Sequence, residues 1–253
     1  MSIGNEPDRC ATVAEMGLRM SVEGDGIRGD AESRPELWLP GTQQLRPAVL
    51  VTWADSLTGI VAGRGFLPRV GVTLDLDLHL YRPIEGQVAV VGRSRIVRAG
   101  RNIVIAEAVF TVGDDPTPVA LSRAAFMASP DPTHVKPDGF AIDTLQPVRY
   151  LSMPVAERAR IEWVDGHPEI PCVLENQNAT FAIQGGLLAL VAEEALRVAA
   201  PGTAITSISL RYLRGFREGP ARAVADVRDG LATVDLVDRA TGRTNVVIVA
   251  RLA

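Results

Sequence analysis

The pattern of apolar and polar positions divides the chain into two series of elements that have the same order. In the first series, residues 17–33 alternate and predict a strand or hairpin, which Gly24-Asp25-Gly26 interrupts. Apolar residues then recur at helical spacing from Pro47 to Ala62, and Pro47 suits a first helical turn. Four strand-like runs follow, separated by residues typical of turns: Val70–Arg82, Gln87–Val97, Ile103–Val112 and Pro118–Met127.

The second series follows a stretch at residues 129–147 that is rich in proline and aspartate. This composition is typical of a linker, which we predict over residues 129–154. Beyond it we predict two strands, one helix and four strands: Arg160–Val164, Ile170–Leu174, Gly185–Ala200, Ala204–Leu213, Ala221–Val227, Leu231–Asp238 and Thr244–Leu252. The chain is therefore predicted to comprise a loose leader at 1–16, a first repeat at 17–128 and a second repeat at 155–253.

The repeat is also visible in the residues themselves. The segment Leu78–Gly86 matches Leu210–Gly219 with one inserted residue, and Val51–Asp55 aligns with Ala189–Glu193 at an offset of 138 residues. Each predicted helix has few polar positions, so it needs burial on most of its sides, and a curled sheet supplies that burial. We therefore predict an α+β fold in which an antiparallel sheet wraps around one long apolar helix in each repeat.

Composition and charge exclude several classes of function. The 253 residues are 47% hydrophobic and 22% charged, which is typical of a globular protein with a sizeable core. A formal net charge of −4 argues against a nucleic-acid partner. The N-terminus has no signal-peptide pattern, and no apolar run reaches the roughly 18 residues of a membrane span. Because Cys10 and Cys172 lie far apart, we expect a reduced, cytoplasmic protein.

Candidate chemistry lies at the start of the second predicted helix, Gln184-Gly185-Gly186. Unpaired backbone N–H groups and the positive end of the helix dipole can hold an anion there, or a carbonyl oxygen that becomes one. Two glycines before a helix also serve as an ordinary tight turn. The signal gains weight because the aligned helix of the first repeat begins differently, with Arg46-Pro47-Ala48.

These residues resemble the PaaI-type acyl-CoA thioesterases of the hotdog-fold superfamily. The family pattern is Asn, then His-Gly-Gly six residues later, then Asp or Glu nine residues after the His. In the second repeat these positions hold Asn178, Gln184-Gly185-Gly186 and Glu193, with Gln in place of His. In the first repeat they hold Pro40, Arg46-Pro47-Ala48 and Asp55. The resemblance implies a double hotdog whose two sheets join into one continuous sheet, imitating the dimer of single-domain members.

The resemblance also implies hydrolysis of an acyl-CoA thioester. That reaction needs donors for the developing oxyanion and a carboxylate that attacks or activates water. Gly185 and Glu193 are eight residues apart on one helix, roughly 12 Å, so they cannot serve the same carbonyl. The acid must then come from the neighbouring helix, as in hotdog dimers. We predict one working site with Asp55 as base or nucleophile, the Gly185 N–H as oxyanion donor, and Gln184 and Asn178 beside them.

The second site implied by this symmetry pairs Glu193 with Pro47. Proline has no backbone N–H, so this site lacks its main oxyanion donor, and we predict that it is degenerate. Pro47 is also a favourable helix start, and Glu194, adjacent to Glu193, leaves the register of the acid ambiguous.

Four further residues are implied by position. Thr73 lies 18 residues after Asp55, where the family often places a hydroxyl that assists the carboxylate or water. Arg95, Arg98 and Arg101 surround a predicted turn that lies near the CoA phosphates in related enzymes, and guanidinium groups suit phosphate. The alternatives are an ordinary strand threonine and a solvated basic turn.

Structural roles are also open for two central residues of the predicted site. Asp55 is costly to bury without a partner, so it could lie at the helix margin or pair with Arg64 or Arg82. Asn178 could simply turn or cap the chain before the helix.

The chain has three histidines, His79, His134 and His167, which form no triad or metal cluster in the sequence. We therefore expect no metal and no cofactor, with the acyl-CoA as substrate. Two other functions remain: a non-catalytic hotdog protein that binds acyl-CoA or another apolar ligand, and a hydratase, which the absent Asp-x-x-x-x-His spacing disfavours. Whether two double-hotdog chains pair as a homodimer is left open.

Overall fold

The computed structural model describes residues 9–136 and 149–253, and their strands form one antiparallel sheet. Its twelve strands run in the order β1-β2-β4-β5-β6-β3-β9-β12-β11-β10-β8-β7. The strands are β1 Arg19–Glu23, β2 Gly26–Glu32, β3 Gly71–Leu80, β4 Ala89–Ala99, β5 Ile103–Val112, β6 Asp115–Ala128, β7 Glu162–Val164, β8 His167–Ile170, β9 Ile205–Tyr212, β10 Ala221–Arg228, β11 Leu231–Asp238 and β12 Arg243–Leu252. The prediction of one continuous sheet in a double hotdog is confirmed.

Two long helices lie against this sheet and against each other. Helix α2, Pro47–Gly63, packs on β2 to β6, whereas helix α4, Gly185–Ala199, packs on β8, β10 and β11. Most of their side chains are buried, as predicted from their few polar positions. The short helices α1, Ala11–Ala14, and α3, Val155–Arg158, complete the set in the described residues. None of the helices described is long and apolar enough to cross a membrane.

The two halves of the sheet meet where β3 pairs with β9. In this register Asp77 faces Ser209, with Leu76 facing Leu210 on one side and Leu78 facing Ile208 on the other. The sequence repeat aligns Leu78 with Leu210, so Asp77 faces the residue that it matches. Such self-pairing marks a local two-fold axis, which relates the starts of α2 and α4 to each other.

The start of the second series differs from the sequence prediction. The strand expected at Ile170–Leu174 is wrong: β7 and β8 form a hairpin about Asp165-Gly166, and Leu174–Asn176 is a 3₁₀ turn. Asp165 and Gly166 both have positive φ, which is typical of a two-residue hairpin turn. The second strand therefore begins directly after them, at His167. Pro171 then ends the strand because it has no N–H for the ladder.

The leader and the linker are only partly described. Residues 9–16 are not loose, because α1 forms there, the Cys10 N–H donates to the Leu174 carbonyl, and the Thr12 hydroxyl donates to Asn176 Oδ1. Residues 1–8 and the linker segment 137–148 lie outside the described residues. At the described ends of the linker, Val70 N–H donates to the His134 carbonyl and Leu151 N–H to that of Glu15. The repeat boundaries stay a prediction.

Candidate active site

Asp55 of α2 meets the start of α4 and strand β3. Its Oδ2 accepts a hydrogen bond of 2.7 Å from Gln184 Nε2, and its Oδ1 accepts one of 2.9 Å from the Thr73 hydroxyl. The side chains of both repeats therefore hold one carboxylate. Asp55 and Thr73 are half-buried and Gln184 is buried, so the cluster lies at the edge of the core with part of its surface open.

A register shift in β3 turns Thr73 toward Asp55. The shift lies between Thr73 and Asp75, where β3 pairs with β6. In regular alternation with the buried Leu76, residue 74 would face the helices and Thr73 would face away. The irregularity instead puts Thr73 opposite Phe126, which is buried, and therefore on the helix side.

Gln184 holds the helix start and the carboxylate at the same time. Its Oε1 accepts from the backbone N–H of Gly186 at 2.6 Å and of Leu187 at 3.2 Å, which leaves Nε2 to donate to Asp55. Because Oε1 accepts two hydrogen bonds and Nε2 donates one, these contacts fix the orientation of the Gln184 amide. Gln184 is therefore both the N-cap of α4 and a hydrogen-bond donor to the Asp55 carboxylate.

Gly185, the first residue of α4, lies directly beside Asp55. A Cβ at this position would be 3.2 Å from Asp55 Oδ2 and 2.9 Å from the Tyr212 hydroxyl oxygen. The absence of a side chain therefore lets these polar groups approach the helix start. Gly185 is half-buried, and its N–H donates to no group among the described residues. The helix dipole favours a negative charge at this end.

Burial changes the acidity of Asp55. Desolvation raises its pKa from 3.8 to about 6, and the hydrogen bond from Thr73 opposes this shift. Neither arginine considered in the sequence is its partner, because Arg64 donates to the Asp25 carbonyl and Arg82 pairs with Asp115. A carboxylate with this pKa is ionised at neutral pH and is basic enough to accept a proton.

The two-fold related position holds a closed ion-pair cluster. Arg46, which aligns with Gln184, contacts Glu193 at 2.8 Å and Glu194 at 2.7 Å. The N–H of Ala48 also donates to Glu193, at 3.0 Å, and the three charged side chains are buried. Pro47 begins α2 there. Here a buried cation neutralises the acid, and a backbone donor that could serve a ligand is already used.

Asn178 makes a local turn. Its Oδ1 accepts from the N–H and the hydroxyl of Thr180, both at 2.8 Å, and from the N–H of Ala182 at 3.3 Å. These bonds shape the chain before α4 and leave Asn178 without a described hydrogen bond to Asp55.

The three arginines lie along β4 and its turn to β5. Arg95 pairs with Glu107, whereas Arg98 and Arg101 are exposed and have no described ion pair. The turn is at the same end of the sheet as Thr73, because adjacent-strand pairs link Thr73, Phe126, Val104 and Ala99 in one row.

Sequence analysis did not include Tyr212 in the site. This residue ends β9, and its hydroxyl is next to Gly185. Tyr212 aligns with Leu80 in the repeat, so the sequence signal was a tyrosine in one copy of the strand where the other copy has leucine.

Cys10 lies near the same carboxylate. Burial, together with the charge of Asp55, raises the pKa of its thiol to about 12. A thiol so strongly protonated is a poor nucleophile.

The histidines are dispersed in the structure. His134 is buried, and its Nδ1 is 2.8 Å from the Ser129 hydroxyl. No group of three or more His, Cys, Asp or Glu residues that could hold a metal ion occurs within residues 9–136 and 149–253.

Comparison with solved structures supports the fold along nearly the whole chain. A 12:0-ACP thioesterase from Umbellularia californica aligns with a TM-score of 0.67 and 12% identity, covering 92% of this chain and 99% of the other. An acyl-ACP thioesterase from Bacteroides thetaiotaomicron gives 0.62 and 12%, covering 89% and 98%. The tesB protein of Mycobacterium avium subs paratuberculosis gives 0.53 and 13%, covering 95% and 97%.

Comparison of sequences gives a family-model match over part of the chain. No curated protein matches the chain significantly. A model described as the thioesterase superfamily matches residues 47–119, which include α2, Asp55 and Thr73. The chain is therefore a double hotdog protein that resembles the hotdog-fold thioesterases, with the thioesterase superfamily match in its first repeat.

Proposed function

We propose that the protein is an acyl-CoA thioesterase with one composite site between its repeats. The observation that supports this most directly is the Asp55 carboxylate, held by Gln184 and Thr73 beside the unused Gly185 N–H. A base and an oxyanion donor near one reacting group are the minimum that thioester hydrolysis needs. That the enzyme is of the PaaI type stays a prediction.

In this mechanism Asp55 acts as a general base. It takes a proton from water, whose oxygen bonds to the thioester carbonyl carbon, and the negative charge moves to the carbonyl oxygen. The Gly185 N–H and the dipole of α4 stabilise this oxyanion. When the intermediate collapses, the C–S bond breaks and the sulfur leaves with a proton from Asp55, giving a carboxylic acid and a thiol. Direct attack of an Asp55 oxygen on the carbonyl carbon is the alternative role, because the hydrogen bonds to both oxygens lower basicity and nucleophilicity together.

Only one site per chain is expected to work. The related carboxylate, Glu193, is paired with Arg46 and with the Ala48 N–H, and Pro47 supplies no N–H. An acyl-CoA group would find neither a free base nor a free donor at that position.

The CoA portion of the substrate would extend toward the turn between β4 and β5. Arg98 and Arg101 are unpaired there in the described structure and could bind its phosphates, with Arg95 adjacent but already engaged with Glu107. No cofactor or metal takes part in this scheme. The cytoplasmic location and the pairing of two chains as a homodimer also stay predictions.

The repeat supplies a matched pair of variants for the test. The intact protein would be incubated with a panel of acyl-CoAs and a thiol reagent, and Asp55→Asn would be compared with its repeat equivalent, Glu193→Gln. We expect Asp55→Asn to lose about 10²–10⁴-fold in turnover, the usual contribution of a general base. Glu193→Gln breaks a buried ion pair, so it is compared per folded molecule, and on that basis its turnover should stay close to wild type. Equal turnover in Asp55→Asn and wild type would refute the site.

The non-catalytic alternative has its own observation. Both oxygens of Asp55 already accept hydrogen bonds from the protein, as in a carboxylate with a structural role. Saturable binding of acyl-CoA with no thiol release from the wild-type protein would support this alternative over hydrolysis.

A further inference from the structure

We propose that the Tyr212 hydroxyl is the second oxyanion donor of the site and hydrogen-bonds the thioester carbonyl oxygen together with the Gly185 N–H. This inference rests on the proposed thioesterase function and adds a catalytic residue to it. The argument depends on the position of the hydroxyl, on the donors already used at the start of α4, and on the asymmetry of the repeat.

The hydroxyl of Tyr212 is buried and has no hydrogen-bond partner among the described residues. The ring packs against the core from the end of β9, opposite Val246 of β12. A buried hydroxyl without a partner costs about 1–3 kcal/mol, so such groups are rare unless a ligand or water completes them. Its oxygen lies 2.9 Å from where a Cβ of Gly185 would be, so the unmet donor is at the helix start.

The start of α4 has few donors left for a substrate. The N–H groups of Gly186 and Leu187 both donate to the side chain of Gln184. Gly185 therefore supplies the one N–H of these three that remains available. A developing oxyanion is stabilised by several aimed donors, and Tyr212 is the side-chain donor beside the remaining N–H.

The hydroxyl keeps its proton under all ordinary conditions. Burial, with the charges of Asp55 and Asp75, raises the pKa of Tyr212 well above 10.0. A protonated phenol donates a hydrogen bond and adds no negative charge that would oppose the oxyanion.

Comparison of the two repeats shows that packing alone does not require a tyrosine at this position. Leu80 occupies the matching position in β3, so the ring position can be filled there by a hydrocarbon. The hydroxyl occurs on the β9 copy, next to Gly185, and the buried cluster of Arg46 and Glu193 occupies the related site. The acid that has no described cationic partner, the unused N–H and the unpaired hydroxyl therefore belong to the same site.

The first test is Tyr212→Phe, which keeps the ring and removes the donor. We expect kcat to fall about 10²–10³-fold, as for loss of one oxyanion donor, with little change in KM. The matched control is Tyr81→Phe, at an exposed position outside the site, which should retain wild-type kcat. If Tyr212→Phe keeps wild-type kcat while Asp55→Asn loses turnover, the role of Tyr212 is overturned and the proposed function stands.

A binding measurement tests the same contact without turnover. Two non-hydrolysable CoA analogues would be compared, a ketone that keeps the carbonyl and a thioether that lacks it. We expect wild type to prefer the ketone and Tyr212→Phe to lose most of that preference, while Tyr81→Phe keeps it. If wild type hydrolyses no acyl-CoA but shows this Tyr212-dependent preference, the hydrolase fails and Tyr212 remains the carbonyl donor of a binding protein. Equal preference in wild type and Tyr212→Phe overturns the inference.

Discussion

At Asp55, burial and hydrogen bonding act in opposite directions on one carboxylate. Desolvation favours the protonated form, whereas the bond from Thr73 favours the ionised form, and the pKa of about 6 shows that desolvation is the larger effect. The same desolvation that makes Asp55 more basic also lowers the stability of the folded protein at neutral pH, because the folded state then holds a partly desolvated charge.

The pH dependence of Asp55 should show this conflict. Because the proposed base is the ionised form of Asp55, kcat/KM should fall about tenfold per pH unit below pH 6. Between pH 4 and 6 the folded state binds more protons than the unfolded state, since the folded pKa lies above 3.8. Stability from this group should therefore decrease as the pH rises through that window.

The variant Asp55→Asn separates the two effects. We compare the difference in melting temperature, variant minus wild type, at two pH values. This difference should be larger at pH 7.5 than at pH 4, because the wild-type protein buries the Asp55 charge at pH 7.5 and Asp55 is already neutral at pH 4. A calorimetric pH series checks this, and an acid limb of kcat/KM near pH 4 in the wild type would contradict the raised pKa.

Residue spacing suggested some members of the candidate site and did not suggest others. Asp55, Gln184 and Thr73 do meet, and the family spacing suggested them. Their contact with each other still depended on the β3 register shift, which an alternating sequence does not reveal. The pairing of Arg46 with both glutamates and the position of the Tyr212 hydroxyl could be seen only in the three-dimensional packing. The first contact crosses between the repeats, and the second joins the end of β9 to the start of α4.

At the scale of elements, two adjacent glycines at the start of α4 have different duties. Gly186 allows the backbones of α4 and α2 to touch, since a Cβ there would lie 2.4 Å from Thr52 Cα and 2.3 Å from Thr52 Oγ1. A Cβ on Gly185 would instead meet the ends of the Tyr212 and Asp55 side chains. The first glycine therefore leaves room for the polar groups of the candidate site, and the second allows the contact between the helices.

Alanine substitutions should separate these duties. Gly186→Ala must push the helices apart, so we expect a loss of about 1–3 kcal/mol or more in the free energy of unfolding. Gly185→Ala displaces side-chain ends and gains helix propensity of up to about 1 kcal/mol, so its stability should stay near wild type while turnover falls. Urea unfolding and acyl-CoA turnover measure both. Equal losses of stability in the two variants would contradict the assignment.

Element prediction succeeded for the long helices and failed at short strands. Pro47 and Gln184 mark the starts of α2 and α4, and the apolar periodicity extends to within one residue of both ends. The β7–β8 hairpin was misplaced because its strands are only three and four residues long. Strands of that length carry too few positions for alternation to define their register.

In the whole molecule, the two repeats share both a sheet and a helix contact. Strand β3 pairs with β9 across the two-fold axis, and the buried pair of Arg46 and Glu193 links α2 to α4. The repeated sequence pattern predicted this double fold, because each copy contains the same helix and strands. Which groups would face each other at the junction could not be predicted from one repeat, since the contacts arise only between copies.

These shared contacts predict that the repeats unfold together. Leu76, Leu78, Ile208 and Leu210 are almost completely buried at the β3–β9 junction, so unfolding one repeat would expose apolar surface of the other and leave Asp55 or Glu193 without its partner. In Trp163→Phe, the remaining tryptophans, Trp38 and Trp53, report on the first repeat alone, whereas far-UV circular dichroism reports on the whole sheet. Urea unfolding followed by both signals should give a single midpoint. A fluorescence transition that is complete before the dichroism changes would show independent repeats, and the shared junction would then contribute little to stability.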